Sequence, residues 1–188
     1  MASGVSRDGY LETGLEVLSD LGYGGLKLAE VCNRLGVTSG SFYHYFSSWA
    51  AYTRELIDHW QKVNTTRLIE SLSAETDPRR RIDGMIHIGL NLPHGAEAAI
   101  RTWSNLDPEV YEVQAAVDKQ RHEIMRTSAF EILQDERQAE LFADWGVYLL
   151  VGYEQATLPP DRAALKWIVG QLLDALDAGR FTTVPRET

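Results

Sequence analysis

Between residues 38 and 44 the chain reads Thr38-Ser39-Gly40-Ser41-Phe42-Tyr43-His44, three short hydroxyls around a glycine and then a run of rings. Small residues at Ser39, Gly40 and Ser41 let a backbone approach another polymer closely, and their hydroxyls reach phosphates or base edges. Lys27 offers an ammonium from a separate segment. This is the chemistry of recognition rather than of bond cleavage. No serine nucleophile elbow, phosphate-cradling glycine loop or His-Glu-x-x-His spacing occurs. The five histidines, at positions 44, 59, 87, 94 and 122, form no close helical pair, and the single Cys32 has no thiolate neighbour for a metal or an intramolecular disulfide. The expectation is a protein with no catalytic site, no cofactor and no metal, kept in a reducing compartment.

Two short helices have to position that run. Leu11, Leu15 and Leu18 recur at helical spacing from about Asp8 to Leu21, after which Gly22, Gly24 and Gly25 break the pattern. A second helix fits Lys27 to Leu35, with Leu28, Val31, Cys32 and Leu35 on one face and Gly36 as a left-handed stop. Thr38 caps a third, short helix reaching Phe46. Two helices joined by Leu35-Gly36-Val37-Thr38 make a helix-turn-helix candidate, in which the second helix braces across the first and keeps its N-terminal part free for a major groove. Ser47 is the expected cap of the next helix, carried by Leu56, Trp60 and Val63 toward about Ser73.

The segment Gly36-Val37-Thr38-Ser39-Gly40-Ser41-Phe42-Tyr43-His44-Tyr45-Phe46, preceded by Leu26-Lys27-Leu28-Ala29-Glu30-Val31 and followed by Ser47, resembles the recognition segment of the TetR family of bacterial transcriptional regulators. The resemblance covers residues 7 to about 60. It implies that Thr38 caps the recognition helix and touches a phosphate, that Ser39, Gly40, Ser41 and His44 approach base edges, that Tyr43 binds a phosphate, and that Phe42 and Phe46 pack. A tyrosine hydroxyl bonds a phosphate without positive charge, so the chemistry agrees. Packing between helices is the competing role for Tyr43 and Tyr45, and a plain surface histidine that for His44. Three positions depart from the family pattern: Lys27 stands where Thr is general, Tyr45 where His is usual, and Trp49 where a phosphate-binding Lys is usual. Basic residues are outnumbered by acidic ones in the first fifty, so one protomer is expected to bind DNA modestly or with strong salt sensitivity.

The rest of the chain is longer in scale and also helical. Pro78 suits a first turn, with Ile82, Met85, Ile86 and Leu90 on one face before Pro93. A helix through Glu97 to Leu106 follows; Asp107 then caps one with Pro108 at its first position, running to about Leu133. Helices through Arg137 to Thr157 and Asp161 to Ala178, split by Pro159 and Pro160 and closed by Gly179, complete an all-α chain. No strand alternation or internal repeat is visible. The organisation expected is a helix-turn-helix DNA-binding domain over 1–50 and a larger helical effector-binding and dimerisation domain over 51–188.

Composition sets limits on partners. The 188 residues are 44% hydrophobic and 24% charged, with a formal net charge of −9, so no chain-wide positive field holds a polyanion and a local site must do so. No apolar run is long enough for a bilayer, and the N-terminus lacks a signal-peptide pattern; a cytoplasmic protein without a membrane partner is expected. A regulator of this family would enclose a small amphipathic or apolar effector, aromatic or acyl in character. Met85, Trp103 and Tyr148 are the apolar candidates for such a pocket, and His87, Asn91, Arg121 and His122 the polar ones; core packing, or an ion pair of Arg121 with Asp118, competes with each. Together with the family resemblance, the stripes through Trp145, Leu149 and Tyr153 and through Leu165, Ile168, Leu172 and Leu176 lead to the expectation of a homodimer joined by the last two long helices; completion of one protomer's core is the alternative for both. The function expected is an effector-responsive regulator, in the first place a repressor, bound to double-stranded operator DNA. A helical protein-interaction scaffold is the alternative, with an all-α enzyme behind it.

Overall fold

The computed structural model describes residues 5–72 and 74–184. Among these the structure is helical, with no strand: α1 Arg7–Gly25, α2 Leu28–Leu35, α3 Ser39–Tyr45, α4 Trp49–Gln61, a π-helical turn Lys62–Thr66, α5 Arg67–Leu72, α6 Pro78–Asn91, α7 His94–Ser104, α8 Pro108–Leu133, α9 Glu136–Gln155, α10 Arg162–Asp177 and a 3₁₀ turn Arg180–Thr183. Among the described residues no helix is long and apolar enough to cross a membrane.

Helix ends follow local chemistry. Ser6 accepts from the Gly9 amide, Asp77 from Arg79 and Arg80 next to Pro78, and Asp161 from Ala164, each satisfying amides that the first turn leaves without partners. Gly22 breaks α1 as its sequence suggests, at φ 68 and ψ −176, conformations open to glycine, although the helix resumes to Gly25. Three expectations need correction. Ser48, not Ser47, caps α4, its hydroxyl 3.0 Å from the Ala51 amide. The helix read as continuous toward Ser73 changes at Lys62 into a π-helical turn, and Ser73 itself lies outside the described residues. Helix α7 starts at His94 rather than Glu97, because Pro93 supplies the turn before it.

The chain packs as two units. One holds the described residues up to Asn64 together with Pro93–Ala115; the other holds Thr65–Leu92 and the chain from Ala116 onward. The expected functional division at residue 50 follows the order of the sequence, whereas packing also draws α4 and α7 into the first unit. There α7 lies tightly along α1: a Cβ at Gly95 would stand 2.6 Å from the Ser19 carbonyl oxygen, and Tyr23 stacks on Trp103 with centroids 4.8 Å apart. Buried Glu97 accepts a 2.7 Å bond from the Trp60 indole. The second unit has its own core of Ile82, Met85, Met125, Phe142, Leu172 and Phe181. Arg79 clamps α6 to α10 by two bonds to Asp177, 2.8 and 2.9 Å long, which hold the Asp177 carboxyl below the usual carboxylate range.

Candidate nucleic-acid interface and effector cavity

The recognition segment rests on an aromatic cluster. Tyr10, Phe42, Phe46 and Tyr52 are fully buried, with Phe42 edge-on to Tyr10 at 5.7 Å and to Tyr52 at 5.3 Å. Burying a ring of this size is worth about 2 kcal/mol, so Phe42 alone goes far toward fixing a seven-residue helix that could not stand by itself. The Tyr52 hydroxyl donates to the Tyr10 carbonyl at 2.9 Å, and burial pushes its pKa well above the ordinary tyrosine value. Arg7 closes the cluster from outside, its guanidinium 4.6 Å over the Phe46 ring and paired with Glu55. Phe42 and Phe46 were readable as packing residues; that Tyr10 and Tyr52 would meet them was not, because α4 contributes Tyr52 from beyond the motif.

The turn before α3 is set by Gly36 at φ 66 and ψ 33, the left-handed conformation that stops α2 and lets the Val37 amide reach the Cys32 carbonyl at 3.0 Å. Thr38 then caps α3 as expected, accepting from the Ser41 amide at 3.4 Å. Burial raises the pKa of the Cys32 thiol beneath this turn.

All but one of the expected recognition residues are exposed. Thr38, Ser39, Gly40, Tyr43 and His44 are exposed, Tyr43 by 54%, and Lys27 is exposed at the cap of α2. Ser41 differs: it is half-buried and its hydroxyl accepts from Tyr10 at 3.2 Å, so its side chain serves the seat of the helix. Tyr45 is turned inward, with its ring 5.3 Å from Tyr10 and its hydroxyl donating to the Val5 carbonyl. Trp49 packs on Tyr52 at 4.9 Å. Of the three basic residues among the first fifty, Arg7 is tied to Glu55 and Arg34 to Glu30 and Asp20, which raises the pKa of both guanidiniums. Lys27 alone of these three forms no ion pair among the described residues.

The second unit contains a cavity between α6, α8, α9 and α10. Its free interior is about 70 Å³ within an envelope of about 700 Å³ that reaches open solvent. Met85 and Gly89 face it from α6, Arg121 and Met125 from α8, Val147 from α9 and Val169 from α10. Arg121 is 6% exposed and donates to the Thr65 hydroxyl at 3.0 Å, in the π-helical turn. Of the seven effector candidates, only Met85 and Arg121 line this cavity. His87 and Asn91 associate with each other at the exposed end of α6, where Asn91 also accepts from Arg162. His122 points to Asp144 at 3.1 Å. Trp103 belongs to the first unit, against Tyr23, and Tyr148 is 69% exposed beside a separate groove with Trp145 and Phe181. The aliphatic lining residues at Gly89, Val147 and Val169 went unnamed in the sequence because nothing distinguishes them there from ordinary core. No group of acidic, histidine or cysteine side chains suited to a metal occurs among the described residues.

A buried seat, a left-handed turn and a short capped helix with an exposed polar face are the parts of a helix-turn-helix DNA-binding domain, and the chain is accordingly a DNA-binding transcriptional regulator. Residues 11–51 carry the domain of the bacterial regulatory proteins of the tetR family, whose model they match. No curated protein matches the chain. The fold is shared with solved structures at low identity. A transcriptional regulator from Saccharomonospora viridis, in complex with choline, is 15% identical with a TM-score of 0.71, over 91% of this chain and 95% of its own. A TetR-family regulator from Rhodococcus gives 14% and 0.68 over 92% and 97%. One from Aquifex aeolicus gives 15% and 0.65 over 92% and 98%.

Proposed function

We propose that the protein is a homodimeric, effector-responsive repressor that works in the cytoplasm, with operator recognition in residues 1–50 and effector binding and dimerisation in 51–188. The observation that carries the reading is the exposed polar face of α3 seated on buried Phe42. In this reading Ser39, Gly40 and His44 face base edges, Thr38, Tyr43 and Lys27 secure the phosphates, and Ser41 supports the helix from below. Two heads related by symmetry favour a palindromic operator with centres about 34–36 Å apart or at a longer groove-compatible spacing.

Dimerisation is supported by the outer face of α9 and α10. Leu165, Leu172 and Leu176 of the expected stripe are buried within the protomer, so the face proposed is instead the exposed one: Trp145 and Tyr148, one turn apart on α9, and Trp167 and Ile168 on α10. An exposed aromatic face of this kind marks an interaction surface. The cavity of the second unit is the proposed effector site. Choline, held by the Saccharomonospora viridis protein, is a poor match: a quaternary ammonium is recognised by aromatic faces, and no aromatic residue lines this cavity. The effector acts by binding one spacing of the two heads more tightly than the other.

Unbiased selection of bound duplexes by the purified full chain tests the reading. A recurring palindrome, competed by its own sequence and not by scrambled DNA, is the expected result. Failure to enrich any duplex at low and moderate salt would overturn it in favour of a helical scaffold.

A further inference from the structure

The effector cavity is chemically one-sided, and that narrows its ligand. Resting on the reading of this cavity as the effector site, we infer that it takes a slender unbranched aliphatic chain with a neutral polar head, and takes neither a planar ring system nor an organic cation. Three observations converge. The walls contributed by Met85, Met125, Val147 and Val169 are aliphatic or thioether, with no ring face for stacking or for a cation. The free interior is small, about 70 Å³, which suits a slender chain and not a bulky ring system. The only charged groups on the wall, Asp118 and Arg121, have opposite sign and stand one turn apart on α8. A charged head placed near the pair is attracted by one member and repelled by the other, whereas a hydroxyl or ester both donates and accepts without a net charge to desolvate.

Gly89 is the glycine of α6 among the residues that line the slot. It falls one turn beyond Met85 and one before Leu92, on the cavity side of α6, and a Cβ built there meets no atom within 4 Å. A side chain added at this position therefore starts in open space on the lining of the slot.

The test uses unbranched 1-alkanols of four to ten carbons as probes, with the full chain and titration calorimetry, beside choline and naphthol. Affinity is expected to rise about fourfold per added methylene until the slot is filled and then to level. Gly89→Leu should lose this binding by at least tenfold while melting at or above the native temperature. Val151, on α9, also lines the slot, and Val151→Phe serves as the second variant should Gly89→Leu not fold. Saturable binding with the chain-length slope, abolished by either variant, supports the proposal. No saturable alkanol binding, tighter binding of choline or naphthol, or alkanol binding indifferent to both variants overturns it. Operator release is measured separately: an alkanol that binds in the slot and leaves operator affinity unchanged refutes the effector reading of the cavity, while the chain specificity stands.

Discussion

Gly14 is where the seat of the recognition helix is tightest, and replacing it with Ala has a calculable consequence. A Cβ at Gly14 would lie 2.1 Å from the Tyr52 hydroxyl oxygen and 3.0 Å from both Leu56 methyls. The methyls can shift by a few tenths of an ångström; the hydroxyl must leave, and with it the buried bond to the Tyr10 carbonyl. Displacing the ring and stranding its hydroxyl costs about 3 kcal/mol, against which the better helix propensity of Ala returns about 1 kcal/mol, leaving a loss of about 2 kcal/mol. Tyr52→Phe removes the obstructing atom and costs about 1 kcal/mol by itself. Made in the Tyr52→Phe background, Gly14→Ala should then be near neutral, a coupling of about 2 kcal/mol between the two sites. Urea unfolding of the four proteins measures the cycle, with the denaturant slopes compared to confirm that the same surface is exposed. Additive losses, with Gly14→Ala as damaging in the Tyr52→Phe background as alone, would refute the claim that one hydroxyl sets this contact. The same variant should weaken operator binding, because Phe42 and Phe46 share the disturbed cluster.

The remaining predictions concern charge, assembly and coupling. Lys27→Ala should lower the slope of log affinity against log salt by about 0.9 per head, as expected for one phosphate contact, and weaken operator variants evenly; an unchanged slope would remove Lys27 from the interface. Tyr43→Phe should weaken operators evenly with the salt slope retained, and His44→Ala should instead change preference at one base position, both read by titration against an operator substitution panel. Asp177→Asn should cost at most about 1 kcal/mol at neutral pH, since the pair with Arg79 is partly exposed; because the folded carboxyl titrates below its usual 3.8, the gap to the native protein should hold above that value and close as pH falls through the folded one. Trp167→Glu should yield a monomer by light scattering at concentrations where the native chain is a dimer. Thr65→Val, which cuts the bond to Arg121 outside the slot, should leave ligand affinity near native and reduce the ligand's effect on operator affinity.

What could be read in advance divides along the range of the interactions involved. Helix ends were legible wherever a cap sits beside its own helix, as with Thr38 and Asp107, since a side chain and an amide two or three residues away decide the outcome. Ser47 and Ser48 show the limit: two adjacent hydroxyls offer the same chemistry, and only the path of the chain after Phe46 selects the second. The π-helical turn at Lys62–Thr66 was illegible, because Val63-Asn64-Thr65 has no proline or glycine to announce a break. The exposed face of α3 was legible because it follows from residue types in a fixed local spacing. Ser41 was the exception, and its inward bond needs Tyr10, thirty-one residues away. The cavity was the least legible, since it is made where aliphatic side chains fail to fill space, and a void has no residue of its own.

The distribution of cations explains how a chain this acidic can still read DNA. Among the first fifty residues Arg7, Lys27 and Arg34 face Asp8, Glu12, Glu16, Asp20 and Glu30, a formal balance of −2. Arg7 and Arg34 spend their charge within the fold: one ties α1 to α4, and the other ties α2 to α1. That leaves little long-range attraction toward a phosphate backbone, the source of nearly all nonspecific affinity. In the proposed contacts, hydrogen bonds from Thr38, Tyr43 and the face of α3 would act only at contact distance, so they would reward a correctly seated helix and contribute almost nothing to an encounter elsewhere on the duplex. Such a head would give up tight general binding and keep a high ratio of operator to nonoperator affinity. It also makes seating geometry decisive: with few charges to hold a misaligned head in place, a small change in the spacing of two heads removes most of the binding at once. A weakly charged recognition surface is therefore well matched to control by an effector whose differential affinity for two spacings need be only a few kcal/mol.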